Sequence, residues 1–301
     1  MRQVAIGTRG SKLAVIQAEE LKNKLIELFP ELKIKLVKIK TTGDRNTTTP
    51  LDEFADQGMF VKELEKALLD GRIDLAVHSL KDLPTLIPDG LLLAAVTSRL
   101  DPRDVLVSRN GKLTELPPGS KIGTGSRRRT IQLLALRPDV RVSTIRGNID
   151  TRLRKVSDGE FDGIIMAAAA LLRMGWQDKI TEYLSVDHFT PAVGQGALGI
   201  EIRSGDQEIA AILHEVNDKP TWQAATAERT FLQALGGGCR APIAALGTVS
   251  NRSLKLAGMV AGTEGTLILR AVEEGDASNP EQIAQRLALK MVQLGAPDLT
   301  A

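Results

Sequence analysis

Cys239 is the single cysteine of a 301-residue chain and stands in Leu235-Gly236-Gly237-Gly238-Cys239-Arg240-Ala241-Pro242. One thiol cannot close an internal disulfide. Three glycines keep side chains out of its approach, and a neighbouring cation favours the thiolate, the reactive form. Such a thiol suits a nucleophile or a covalent attachment point; a buried cysteine acting as a small hydrophobe is the other reading. A second concentration of chemistry is electrostatic. Residues 121–155 hold ten Lys/Arg against two Asp, a local net of +8 in a chain whose overall net is +2. A basic block is usually a solvated face. Here the cations gather on glycine-containing turns and helix starts, which points to an anionic ligand.

These groups need elements to position them. Val4–Ile6 reads as a strand, Gly7-Thr8-Arg9-Gly10 as a turn, and Ser11 as the cap of a helix with apolar positions Leu13, Ile16, Leu21, Leu25 and Leu28. Residues 33–39 read as a strand, Val61–Asp70 as a helix stopped by Gly71, and Ile73–Val77 as a buried strand. Strands alternating with helices imply a mostly parallel α/β sheet. The pattern then repeats. Ile6-Gly7-Thr8-Arg9-Gly10-Ser11 returns, one residue shorter, as Ile122-Gly123-Thr124-Gly125-Ser126, and Ile16-Gln17 returns as Ile131-Gln132. Asp70-Gly71-Arg72-Ile73-Asp74 returns as Asp158-Gly159-Glu160-Phe161-Asp162. Matches in the same order predict two similar α/β lobes around an anion-binding cleft. Each lobe presents a serine-capped helix N-terminus, whose free N–H groups and dipole attract anions.

The last part differs. Thr221–Leu235 reads as a helix with Trp222, Ala225, Phe231, Leu232 and Leu235 as core positions. Strands near 242–249, 254–262 and 266–274 follow, then a helix over Pro280–Leu294, a small α+β unit. The polar segment 41–58 is expected to form a lid. Only 3% of residues are aromatic, which argues against stacking on single-stranded nucleic acid. No window approaches a membrane span, and the N-terminus lacks a signal peptide's apolar run. With one cysteine, the cytoplasm is the expected compartment.

Six stretches, in order, resemble the porphobilinogen deaminase (hydroxymethylbilane synthase) family. They are Gly7-Thr8-Arg9-Gly10-Ser11, Phe60-Val61-Lys62-Glu63-Leu64-Glu65, and Val77-His78-Ser79-Leu80-Lys81-Asp82-Leu83-Pro84. Arg146-Gly147-Asn148-Ile149-Asp150-Thr151-Arg152, Pro191-Ala192-Val193-Gly194-Gln195-Gly196 and Gly237-Gly238-Cys239-Arg240-Ala241-Pro242-Ile243 complete the set. The resemblance implies three domains: 1–96 with 195–216, and 97–194, both like the lobes of type II periplasmic binding proteins, and 217–301, of α+β type. It implies a monomeric cytoplasmic transferase of heme biosynthesis. That enzyme joins four porphobilinogen molecules head to tail, with loss of ammonia, into hydroxymethylbilane.

It also implies a dipyrromethane cofactor held by a thioether, with Cys239 at the attachment position, on which the oligopyrrole intermediates grow. Asp82 matches the family's catalytic aspartate, suited to stabilising the azafulvene-like cation left by ammonia and to moving protons. Without that resemblance Asp82 reads as a turn residue before Pro84. The acetate and propionate of every pyrrole demand cations, and arginine binds carboxylates bidentately. The binding positions map to Arg9, Ser11, Lys81, Thr124, Ser126, Arg128, Arg129, Arg146, Arg152, Arg173 and Gln195, with Gln57 and Phe60 as lid contacts. Gln57, Arg127 and Gly125 depart from the usual Lys, apolar residue and Ser. His78 reads as a packed residue, His188 has no metal-ligand partners, and no metal, nucleic acid or membrane is expected. The alternative is a non-catalytic, two-lobed protein that binds an anionic ligand.

Overall fold

The computed structural model describes residues 3–41, 61–236, 242–262 and 267–296. The chain begins with β1 (Gln3–Arg9), α1 (Lys12–Leu28), β2 (Lys33–Ile39), α2 (Lys62–Leu69), β3 (Leu75–Ser79) and β4 (Leu91–Val96). Next come β5 (Asp104–Ser108), β6 (Lys121–Gly123), α3 (Arg127–Leu136), β7 (Arg141–Ser143), α4 (Ile149–Ser157), β8 (Gly163–Ala167), α5 (Ala168–Arg173) and β9 (Glu182–Tyr183). It continues with β10 (Leu198–Arg203), α6 (Gln207–His214), α7 (Lys219–Ala234), β11 (Ile243–Ser250), β12 (Ser253–Ala261), β13 (Ile268–Asp276) and α8 (Pro280–Gln293). Two units result. One takes the described residues before Leu100 with Ala197–Trp222; the other takes Leu100–Gly196 with those from Gln223 onward.

The first unit holds one five-stranded sheet, order β2-β1-β3-β10-β4. β1 runs parallel to β2 and β3, while β10 runs antiparallel to β3 and β4. The second unit repeats the plan as β7-β6-β8-β5-β9. There β6 is parallel to β7 and β8, and β5 is antiparallel to β8 and β9. Registers make residues equivalent: Leu198 opposite Ser79 corresponds to Asp104 opposite Ala167. β3 and β8 read as apolar runs because helices cover both faces of such sheets.

The repeated sequences perform the same work twice. Asp74 N donates to Ala5 O at 2.8 Å while Ala5 N donates to Asp74 Oδ2 at 2.8 Å. Asp162 N donates to Lys121 O at 2.9 Å while Lys121 N donates to Asp162 Oδ2 at 2.8 Å. Each aspartate thus clamps the first parallel strand. Gly7 and Gly123 answer a second shared need. A Cβ on Gly7 would lie 2.3 Å from Ile73 Cδ1, and one on Gly123 would lie 3.0 Å from Phe161 Cδ1. Ile73 and Phe161 are matching residues of the repeat, so the glycines admit the same apolar wedge.

Two expectations shift. The strand read as Ile73–Val77 is Leu75–Ser79, because Arg72 and Ile73 donate their N–H groups back to Ala67 O and close the end of α2. The buried face of α1 is Ala14, Gln17, Ala18, Leu21 and Leu25, whereas Leu28 is exposed. The spacing 14, 18, 21, 25 follows one helical stripe, and Leu28 falls off its end. The third sheet, β11-β12-β13, is antiparallel. Phe231 of α7 and Leu287 and Met291 of α8 pack with Leu254, Leu256 and Val260 in its core. Trp222 is only partly buried.

Candidate functional site

In open α/β sheets ligand groups gather beyond the carboxyl ends of the parallel strands. In the first unit β1 ends at Arg9, and Ser11 caps α1, its side chain accepting from Ala14 N at 3.3 Å. Buried Thr8 donates its hydroxyl to Ala14 O at 2.8 Å and holds the loop to the helix. β3 ends at Ser79, whose hydroxyl accepts from Gln17 Nε2 at 2.8 Å. The chain then makes one tight turn, Leu80–Asp82. Leu80 and Leu83 are buried while Lys81 and Asp82 between them are exposed. The Asp82 side chain makes no hydrogen bond or ion pair with any described residue. His78 is a packed residue: its Nε2 lies 3.1 Å from Glu201 Oε2, both side chains buried.

The corresponding edge of the second unit is cationic. Ser126 caps α3, accepting from Arg129 N at 3.5 Å, and buried Thr124 accepts from Ser126 N at 3.2 Å. Arg127 is exposed. Half-buried Arg146 stands in the connection from β7 to α4, and Arg152 Nε donates to Gly147 O at 2.8 Å. Asn148, the N-cap of α4, makes no side-chain capping bond, so the dipole end of that helix lies beside Arg146 without a side-chain cap. Arg173, at the end of α5, donates to Gly196 O at 3.3 Å.

Arg128 and Arg129 are more committed than their sequence suggests. Arg128 Nη1 donates to Asp104 Oδ2 and to Thr190 O, both at 2.7 Å. Arg129 reaches Asp104 Oδ1 through Nε at 2.9 Å and Nη2 at 2.6 Å, and Ile165 O through Nη1 at 3.1 Å. Gln195 joins them, donating to Asp104 Oδ1 at 3.0 Å and to Pro102 O at 2.8 Å. Burial alone would push the Asp104 carboxyl up. The charges of Arg128 and Arg129, with hydrogen bonds from Arg128 and Gln195, outweigh it and hold the group below the ordinary aspartate range. Two guanidinium groups on one carboxylate leave a net positive charge fixed beneath the start of α3.

Sequence reasoning missed three buried carboxylates. Asp104 opens an otherwise apolar strand, Glu201 interrupts Leu198-Gly199-Ile200, and Glu228 shares a helical face with Ala224, Ala227 and Phe231. A lone charge inside an apolar pattern is the signal that could have found each one. Glu228 accepts from Gly194 N at 2.7 Å and from Gly247 N at 2.8 Å, tying the loop ahead of Gln195 to the third sheet. Cys239, Gln57, Phe60 and, apart from Thr41, the predicted lid at 41–58 lie outside the described residues. Cys239 belongs to the connection between α7 and β11, whose last described residue before it is Gly236.

Each of the two sheets of one plan has its own strand-end edge: an exposed carboxylate in the first unit, and arginines with helix N-termini, groups suited to anions, in the second. Comparison with known proteins makes this specific. Residues 4–211 match the family described as "Porphobilinogen deaminase, dipyromethane cofactor binding domain", and residues 222–293 match the porphobilinogen deaminase C-terminal domain. The porphobilinogen deaminase of Pelotomaculum thermopropionicum is 47% identical over 99% of this chain and 96% of its own. That of Syntrophobacter fumaroxidans is 45% identical over 98% and 96%. Among solved structures, the periplasmic aliphatic sulphonate binding protein of Escherichia coli aligns with TM-score 0.42 and 16% identity, over 79% of this chain and 76% of its own. The chain belongs to the porphobilinogen deaminase family, the hydroxymethylbilane synthase transferases of tetrapyrrole biosynthesis. That membership does not favour the non-catalytic alternative.

Proposed function

We propose that Asp82 is the catalytic carboxylate of this transferase. The second unit's cationic edge, with Arg9, Ser11 and Lys81, would hold the carboxylates of porphobilinogen and of the oligopyrrole intermediates. The observation that carries the reading is Asp82 itself, exposed between two buried leucines and without a partner among the described residues. Structural aspartates in turns are normally spent on capping or pairing. An aspartate kept out of such bonds can face a cation. Loss of ammonia from porphobilinogen leaves positive charge spread towards the pyrrole nitrogen. A fixed carboxylate stabilises that charge, and the same oxygens accept and return the proton that pyrrole substitution releases.

The family's cofactor is dipyrromethane, and the donors present suit its carboxylates. The α4 N-terminus, without a side-chain cap, lies between Arg146 and Arg152, and a net positive charge is fixed under α3. Arg146, Arg152, Arg173, Thr124 and Ser126 would hold it, and Cys239 would anchor it. When bound, dipyrromethane supplies the pyrrole carbon on which the chain is extended. Arg128, Arg129 and Gln195 then act chiefly through the charge that they and Asp104 fix. Three domains, 1–96 with 195–216, 97–194 and 217–301, remain the proposed organisation, supported by three sheets with separate cores. A monomer working in the cytoplasm without nucleic acid completes the reading. No helix among the described residues is long and apolar enough to cross a membrane.

The mass of the purified intact protein tests the attachment. It should exceed the sequence mass by two pyrrole units, and Cys239→Ser should remove the excess. An active protein of unmodified mass would refute a covalent primer at Cys239.

A further inference from the structure

The turn Leu80–Asp82 has no side-chain cap, so its position is set from outside. Beside the Gln17 bond to Ser79, three contacts that hold it come from residues 197–201. Leu80 N donates to Ala197 O at 3.0 Å. Leu80 and Leu83 sit over Gly199, where an added Cβ would lie 2.9 Å from Leu80 Cδ1, 3.1 Å from Leu93 Cδ1 and 3.6 Å from Leu83 Cδ2. Glu201 takes the third contact, with His78 at 3.1 Å, one residue before the end of β3. Gly199 and Glu201 project from the same face of β10, as residues two apart in a strand must. Gly199 does not appear among the positive-φ glycines, so space explains its lack of a side chain.

We propose that Gly199 and the buried His78–Glu201 pair are positioning residues for Asp82. β10 serves as a template. Its backbone pins the turn, its missing side chain seats the two leucines that flank the turn, and its carboxylate anchors the strand leading into it. Leu80 is 1% exposed. A methyl group at Gly199 therefore meets a side chain with little room to withdraw, and part of the displacement passes along the backbone to Asp82. The inference rests on Asp82 being the catalytic carboxylate.

The experiment compares purified, primer-loaded Gly199→Ala, Gly163→Ala and Asp82→Asn proteins. Gly163 is a matched control. A Cβ there would lie 3.0 Å from Leu106 Cδ1 and 3.1 Å from Ser108 Cβ, but at the start of β8, the end away from the ligand edge. Gly199→Ala should keep its primer mass and its KM within about twofold, and lose kcat by roughly tenfold to a hundredfold, as ångström-scale misplacement does. Hydrogen exchange at the Leu80 amide should quicken. Adding Leu80→Val, which removes the crowded Cδ atoms, should restore part of the rate. Gly163→Ala should lower Tm and leave kcat unchanged. A normal kcat in Gly199→Ala, or equal losses of kcat and Tm in the two glycine variants, overturns the positioning role. If Asp82→Asn turns over normally, the catalytic reading and this inference both fall; if only Gly199→Ala is normal, this inference alone falls. Should Gly199→Ala not fold, Leu83→Ala, which empties the seat, is read in the same way.

Discussion

Leu13 of α1 and Leu198 of β10 occupy the positions of Arg128 of α3 and Asp104 of β5, by the match of the two serine caps and by strand register. On the opposite face the exchange runs the other way: buried His78 and Glu201 stand where the second sheet has Met166 and Val107. One plan therefore carries its buried ionisable groups on different faces. Under α3 the charge is net positive and lies behind a helix N-terminus, so that edge offers attraction to anions. Under α2 the His78–Glu201 contact braces the strand that leads to Asp82, so that edge offers a placed carboxylate. The common plan provides two equivalent strand-end edges, and the placement of a few buried ionisable groups distinguishes them.

The sharpest way to break this comparison is to remove the exposed carboxylate of the first edge. Asp82→Asn should lower turnover by roughly 10²–10⁴ while primer mass is retained. Near-normal rates would leave the first edge with no chemical role. Next in size, Asp104→Ala leaves two buried guanidinium groups without their carboxylate. It should cost about 3–5 kcal/mol in denaturant unfolding, and an unchanged midpoint would show that the cluster is not structural. The sign of its pH dependence follows from the depressed carboxyl. Asp104 binds its proton less readily folded than unfolded, so its stabilisation is full at neutral pH and fades as pH falls below about 4. Asp104→Asn should flatten that acid-side slope.

Smaller again are the two caps. Ser11→Ala and Ser126→Ala should each cost about 1 kcal/mol. Only Ser126→Ala is expected to slow primer assembly as well; equal behaviour would erase the distinction between the edges. Smallest is Glu65, on α2 above the His78–Glu201 pair. Burial and then the Glu201 charge push its carboxyl up, against His78 and Lys62. The folded state thus holds that proton more tightly, and stability declines as pH rises through the raised value. Glu65→Gln should raise Tm slightly at neutral pH and not at pH 4; a fall in Tm at neutral pH would mean that the ionised form is favoured.

Much of the frame was legible because it is local. β2 runs over residues 33–39 as read, Ser11 and Ser126 cap the helices predicted for them, and the repeated Asp-Gly segments lead into matching strands. What escaped depends on distance along the chain. Asp104 meets Arg128 and Gln195 across 24 and 91 residues, and His78 meets Glu201 across 123. No periodicity records such pairs. Arg128 and Arg129 were legible as cations but not as Asp104's partners, since a guanidinium aimed at a ligand and one aimed at a buried carboxylate look alike in sequence.

β10 lies between β3 and β4, yet it is encoded roughly a hundred residues after β4. At synthesis rates of about 5–20 residues per second, the first sheet waits on the order of 5–20 s for its last strand. During that interval β3 lacks its antiparallel neighbour, an apolar edge open to wrong partners. β5, the corresponding strand of the second sheet, emerges before the strands it joins. The second sheet therefore has its antiparallel strand in place when its neighbours emerge, whereas the first stays open until β10 arrives, and the seat for Asp82 is among the last features of its sheet to form. A nascent chain short of Leu198 would be expected to expose aggregation-prone surface that holdase chaperones recognise.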